Sequence, residues 1–191
     1  MTTITTVISR PNPYVGPRPY RAGETIYGRE RETSELLDIL IAERIVLLYS
    51  ASGAGKSSLL NAAILPKMAE QGFQVLPIIR LNMEPPTNLS LNEGFNRYVY
   101  SCIQSIEEGL PEEKRFSNEE LVNLKFKNYL AKYRERERTL KPDQNQDAPV
   151  LLVFDQAEEV IRIILTDRPK KLDFFVQLGA ADFRAGRHHH A

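Results

Sequence analysis

The sequence predicts an α/β sandwich built on a parallel sheet, and three observations lead there. Residues 45–49 and 150–155 are apolar runs without alternation, the pattern of strands buried on both faces. Segments with apolar residues at helical spacing separate these runs, and strands alternating with helices imply parallel pairing through crossovers. A turn rich in glycine and small residues, 50–55, joins the first run directly to a helical pattern. With 191 residues, 42% of them hydrophobic, the chain can bury one real core but not two comfortable ones.

Residues 1–10 are polar and Thr-rich and are expected to be disordered. Prolines at 11, 13, 17 and 19 fix φ and remove donors, so that stretch is expected to run extended against another part of the chain. Gly28 marks a turn, and Leu36, Leu37, Leu40 and Ile41 then recur at helical spacing. After the strand at 45–49 and its turn, a helix begins at about Ser57; Pro66 should stop or kink it, and Gly72 closes it. Residues 73–81 form a second strand whose Pro77 cannot donate to a ladder, which places it at a sheet edge or a bulge. A helix over 91–108 carries Phe95, Tyr98, Val99, Cys102 and Ile106 on one face, and another over about 117–138 carries Leu121, Leu124, Leu130 and Tyr133. The polar loop 139–149 leads to the third strand, 150–155, then to helices over 156–165 and 171–181. The expected organisation is one domain, 11–184, with a disordered His-containing tail, 185–191.

Lys and Arg balance Asp and Glu at 25 each, so net charge marks neither nucleic acid nor an anionic membrane as partner. The lone cysteine, Cys102, excludes an internal disulfide framework and suits a reducing, cytoplasmic setting. On an apolar helix face with no His in register, it reads as core rather than nucleophile. No apolar run approaches the roughly 20 residues of a membrane span, and the first residues lack the pattern of a secretory signal. The basic and aromatic stretch 125–138 has acidic neighbours at helical spacing and reads as a solvated helix face. His188, His189 and His190 are consecutive on a tail, without the fixed geometry a metal site needs.

The chemistry concentrates at "YSASGAGKSSLLNA", residues 49–62. A phosphate loop (Walker A) needs a sharp strand-to-helix turn whose backbone N–H groups face inward, assisted by the positive end of the helix dipole. Gly53 and Gly55 can adopt conformations closed to other residues, and Ser52 and Ala54 are small enough to leave the cradle open. Lys56 would reach the β/γ-phosphate oxygens and the Ser57 hydroxyl would bind Mg²⁺, with Ser58 beside it in the same cradle. Ser50 stands where the usual G-x-x-x-x-G-K-[ST] pattern begins with glycine, a small cost if its φ is negative.

A Mg²⁺–nucleotide site also needs an acid at the end of a neighbouring strand (the Walker B role), which Asp155 supplies after "VLLVF". Glu158 and Glu159 follow within one helical turn, and such an acid can polarise an attacking water. The reading preferred for Glu158, and less so for Glu159, is this catalytic one; the alternative is first-turn acids favoured by the helix dipole.

"NPYVGPRPY", "IYGRERE", "SASGAGKSSLLNAAILPKM" and "VLLVFDQAEEV" stand in the order and wording of the novel STAND NTPases, which this chain resembles over about residues 11–178. Those proteins are bacterial relatives of NACHT and AP-ATPase proteins, within the additional-strand P-loop class. The resemblance implies a P-loop NTPase-like three-layer sandwich that binds ATP or GTP with Mg²⁺. It places Tyr27, Gly28 and Arg29 near base and ribose, although a helix-start turn also accounts for them. It implies a switch that couples nucleotide state to oligomerisation or effector activation, in signalling and anti-phage defence, with sensor and effector domains and self-association as partners. The family pattern continues into a sensor strand, an arginine and a lid, whereas this sequence ends "DFRAGRHHHA"; the expectation is a module truncated before its sensor strand, with slow ATP hydrolysis at most. A small-molecule P-loop kinase and a non-catalytic interaction fragment are the alternatives.

Overall fold

The computed structural model describes residues 16, 18–141, 145, 148–155 and 167–181. The chain divides into two compact units, Met1–Gln71 and Gly72–Ala191.

In the first unit, Gly28 turns the chain at φ 71° into helix α1, Glu30–Ala42, as the sequence predicts. The carbonyl of Arg29 accepts both from the Thr33 N–H at 2.9 Å and from its hydroxyl at 2.6 Å, and Thr33 is buried. Of the expected apolar stripe only Leu36 is fully buried; Ile41 is exposed. The expectation of a doubly buried strand at 45–49 is corrected: these residues carry no regular secondary structure, and Ile45, Leu47 and Tyr49 are 86%, 72% and 90% exposed. A strand exists only through its ladder, and the ladder among the described residues joins other segments.

The next helix starts at Lys56 with α2, Lys56–Leu59, passes through a π turn, Leu60–Ile64, and continues as α3, Leu65–Glu70. Pro66 does not stop it. The Leu65 N–H reaches back five residues to Leu60, and the widened turn delivers Pro66 to the first turn of α3, where its missing donor matters little. Gly72, at φ 85°, ends the run as expected.

The second unit holds a parallel pair, β1 Gln74–Val75 with β2 Val150–Leu151, extended by an isolated bridge between Ile79 and Phe154. Four steps from Val75 to Ile79 face three from Leu151 to Phe154, so one extra residue bulges where Pro77 sits. The outcome is a mixed fold of helices and a small parallel sheet, the coarser part of the α/β prediction; a two-stranded sheet is less than a three-layer sandwich.

The helix expected over 91–108 begins later, as α4, Arg97–Glu108, because the Asn96 side chain caps it by accepting from the Tyr98 and Val99 N–H groups. The helix expected over 117–138 divides into α5, Asn118–Leu121, and α6, Phe126–Leu140. A capping box between Ser117 and Glu120 starts the short piece. The last described helix, α7, runs over Arg168–Ala180, three residues earlier than predicted, with a proline in its first turn. The helix predicted over 156–165 lies outside the described residues.

Leu76 and Ile79 from the β1 segment, Val99, Cys102, Ile103 and Ile106 from α4, Phe126, Tyr129 and Leu130 from α6, and Phe174 from α7 form one core. Cys102 is fully enclosed there and burial pushes its thiol far up, which makes it inert and bears out its assignment to the core. Asn96 ties α4 to α7 as well as capping it, donating to the Lys170 carbonyl at 2.7 Å and the Asp173 carboxylate at 2.8 Å. Asn96→Ala is therefore expected to destabilise this unit by about 1–3 kcal/mol, the cap plus a buried polar tie. Urea titration checks it; a change under about 0.5 kcal/mol would show that water replaces both roles.

Candidate phosphate-binding site

The loop 50–55 adopts the conformation that its sequence requires. Gly53 and Gly55 stand at φ 79° and 82°, in the left-handed region, and Gly55 is the residue from which α2 starts. A Cβ built on either would meet nothing within 4 Å, so these positions need glycine for φ alone, and the space around the loop is open. Ser50 is absent from the positive-φ residues, as its tolerated place in the pattern demands.

Lys56 arches back over the loop: its ammonium donates to the Ser50 carbonyl at 2.8 Å and to the Ala51 carbonyl at 3.2 Å. The Ala51 carbonyl also accepts from the Ala54 N–H at 3.3 Å, which closes the turn. Ser52, Gly53 and Ala54 are exposed, while Gly55, Lys56, Ser57 and Ser58 are half-buried. The helix run places Ser57 one residue beyond the lysine, next to the turn.

For two contacts the sequence named no partner. The Arg29 guanidinium donates to the Ala54 carbonyl at 3.2 Å and pairs with Glu32 at 3.0 Å, which brings the 27–29 turn onto the loop. The Tyr20 N–H donates to the Ser58 hydroxyl at 3.2 Å, so the proline-rich entry does lie against another segment, and Ser58 serves as its anchor. That entry is folded on itself by Glu24, which accepts from the Arg18 guanidinium and the Arg21 N–H; these hold its carboxyl down to about 2. Tyr27 is 68% exposed, and Gly28 is exposed beside it. The Ser50 hydroxyl is buried without a partner among the described residues.

Asp155 belongs to the second unit, where it ends the β2 segment and its N–H donates to the Ile79 carbonyl at 2.9 Å. Glu158, Glu159 and the three tail histidines lie outside the described residues. No group of three or more His, Cys, Asp or Glu able to hold a metal occurs among the described residues, and none of the helices described is long and apolar enough to cross a membrane.

Ser50→Gly is expected to leave nucleotide affinity within a factor of about three, because the donors and the charge of the cradle begin at Gly53. Calorimetric titration decides it, and a tenfold gain would make position 50 the crippled one.

No curated protein and no solved structure gives a significant match. The family model described as Novel STAND NTPase 1 matches residues 13–188, most of the chain and, apart from Asn12, all of the four motifs quoted above. On that match the chain belongs to the novel STAND NTPase 1 family, a family of nucleotide-binding NTPase modules.

Proposed function

We propose that the chain binds Mg²⁺–ATP, or Mg²⁺–GTP, through residues 52–58 and acts as the nucleotide-binding module of a STAND-type switch. The observation that carries this is the pose of Lys56, whose ammonium sits across the mouth of a turn held open by two left-handed glycines. In that pose Lys56 can exchange loop carbonyls for β/γ-phosphate oxygens with little side-chain reordering. Ser57 and Asp155 would hold the metal, which supplies charge neutralisation on the phosphates. Glu158 would polarise the attacking water, with Glu159 as its neighbour, and Tyr27, Gly28 and Arg29 would lie on the nucleotide side of α1. This reading treats 11–184 as one NTPase domain with the three-layer P-loop sandwich as its completed form, a cytoplasmic protein whose nucleotide state governs oligomerisation or an effector. The test is calorimetric titration of the full chain with Mg²⁺–ATP and Mg²⁺–GTP, with phosphate release measured in the absence of any acceptor. Binding of neither nucleotide would sink the proposal.

The exposed run at 45–49 favours self-association as a companion property. Among the described residues Ile45, Leu47 and Tyr49 present an exposed apolar stretch of the kind that recruits another strand. The expected result is concentration-dependent association on sizing, relieved by Leu47→Lys. A monomer at every concentration for both proteins would count against it.

A further inference from the structure

Within the phosphate loop, one peptide is held from outside the loop. The Ala54–Gly55 peptide turns about ψ of Ala54 and φ of Gly55; Gly55 stands at positive φ, and a Cβ built on it touches nothing. Glycine resists rotation of an adjacent peptide plane least of all residues, so the backbone of Gly55 alone does not set which way this plane faces.

Arg29 does set it. Its guanidinium donates to the Ala54 carbonyl at 3.2 Å, across 25 residues of chain. The arginine is itself fixed at both ends. Its own carbonyl is held twice by buried Thr33, at 2.9 and 2.6 Å, and its guanidinium is steered by Glu32 at 3.0 Å. A trans peptide carries its C=O and N–H in opposite directions, and there is no cis peptide among the described residues. Drawing the Ala54 oxygen toward Arg29 therefore turns the Gly55 N–H the other way, fixed before any anion arrives.

We propose that Arg29 is a positioning residue of the phosphate loop, holding the Ala54 carbonyl so that the Gly55 N–H stands ready as a donor to the phosphate chain. The inference rests on the nucleotide-binding reading above and gives Arg29 a role on the phosphates rather than on base or ribose. It predicts that Arg29 matters equally for ligands with and without a nucleoside.

The experiment uses the full chain and two probes, Mg²⁺–ATP and Mg²⁺–tripolyphosphate, titrated calorimetrically against the wild type, Arg29→Ala, Arg29→Lys and Glu32→Gln. Arg29→Ala is expected to weaken both probes by the same factor, about twofold to tenfold, the worth of one hydrogen bond of ordinary strength, because the arginine positions a donor and does not itself bond the ligand. The unliganded melting point should stay unchanged. Arg29→Lys should recover most of both affinities, because an ammonium can also donate to the Ala54 carbonyl. Glu32→Gln, which loosens the steering without touching the loop, should weaken both probes alike and by less. Loss of ATP affinity with tripolyphosphate unaffected would assign Arg29 to base or ribose and overturn the proposal. Equal losses that follow a fall in the unliganded melting point, without rescue by lysine, would reduce Arg29 to a residue of the fold. If Arg29→Ala does not fold, Glu32→Gln decides alone, and no effect on either probe refutes the role. A wild type that binds neither probe fails the underlying nucleotide reading instead.

Discussion

Lys56→Ala is expected to remove nearly all of the thermal stabilisation that Mg²⁺–ATP confers on this chain. A ligand that binds only the folded state, present at a hundredfold over its dissociation constant, stabilises by about 2.7 kcal/mol. For a chain of this size that is a rise of roughly 5–10 °C in melting point. The Lys56 ammonium lies 2.8 Å from the Ser50 carbonyl, so a positive charge already stands at the loop to which the proposal assigns the phosphates. Deleting a charged donor of this kind costs about 1.5–3 kcal/mol of binding, or ten- to more than a hundredfold in affinity. At the same nucleotide concentration a hundredfold weaker site retains only about 0.4 kcal/mol, a shift near 1 °C.

The unliganded protein provides the control. The carbonyls that Lys56 releases, Ser50 and Ala51, lie at a half-buried and an exposed residue, and water can satisfy them. Without nucleotide, the melting point of Lys56→Ala should therefore stay close to wild type. Differential scanning fluorimetry with and without Mg²⁺–ATP separates the two effects. A full shift in the variant would mean that the nucleotide binds elsewhere.

The loop and the core of the second unit were legible in the sequence for different reasons. Glycines at 53 and 55 and the lysine after them announce a turn with a charge because those residue types have few other uses at that spacing. Pro77 forecast its bulge because a missing N–H has the same consequence in any sheet. The run at 45–49 misled because β-branched and apolar residues say that a strand would be buried if paired, and pairing is a property of the partner. The boundaries of α4, α5 and α6 moved because caps are side-chain hydrogen bonds: Asn96 and Ser117 start helices where apolar periodicity alone reads through. The reach of Arg29 to Ala54 could not be read at all, since it depends on the path of the chain between two residues 25 apart in sequence. Arg136 was recoverable. It follows Tyr129 and Tyr133 at helical spacing, on the stripe that faces inward, and so is no part of the solvated face to which stretch 125–138 was assigned.

That arginine carries the largest stability effect expected in the second unit. Glu107 on α4 is 1% exposed, yet its carboxylate is fully engaged. It accepts from both terminal nitrogens of Arg136 at 3.0 Å, from the Tyr129 hydroxyl at 2.7 Å and from the Phe116 N–H at 2.8 Å. The guanidinium lies 4.5 Å from the centre of the Phe116 ring and 4.9 Å from that of Tyr133. Burial, then the neighbouring carboxylate, drives the Tyr129 hydroxyl far up, so it remains a donor at any working pH. Removing one member of a buried pair strands the other, which costs about 3–5 kcal/mol, whereas replacing both with apolar groups can be nearly neutral. Glu107→Leu should therefore destabilise this unit by about 3–5 kcal/mol, and adding Arg136→Met should recover a substantial part of it, although Tyr129 and Phe116 still lack their acceptor. The chain contains no tryptophan, and the tyrosines at 98, 100, 129 and 133 are all buried here, so near-ultraviolet circular dichroism during urea unfolding follows this unit. If the double variant is less stable than Glu107→Leu alone, the arginine stabilises through its stacking on Phe116 and Tyr133 rather than through the charge it neutralises.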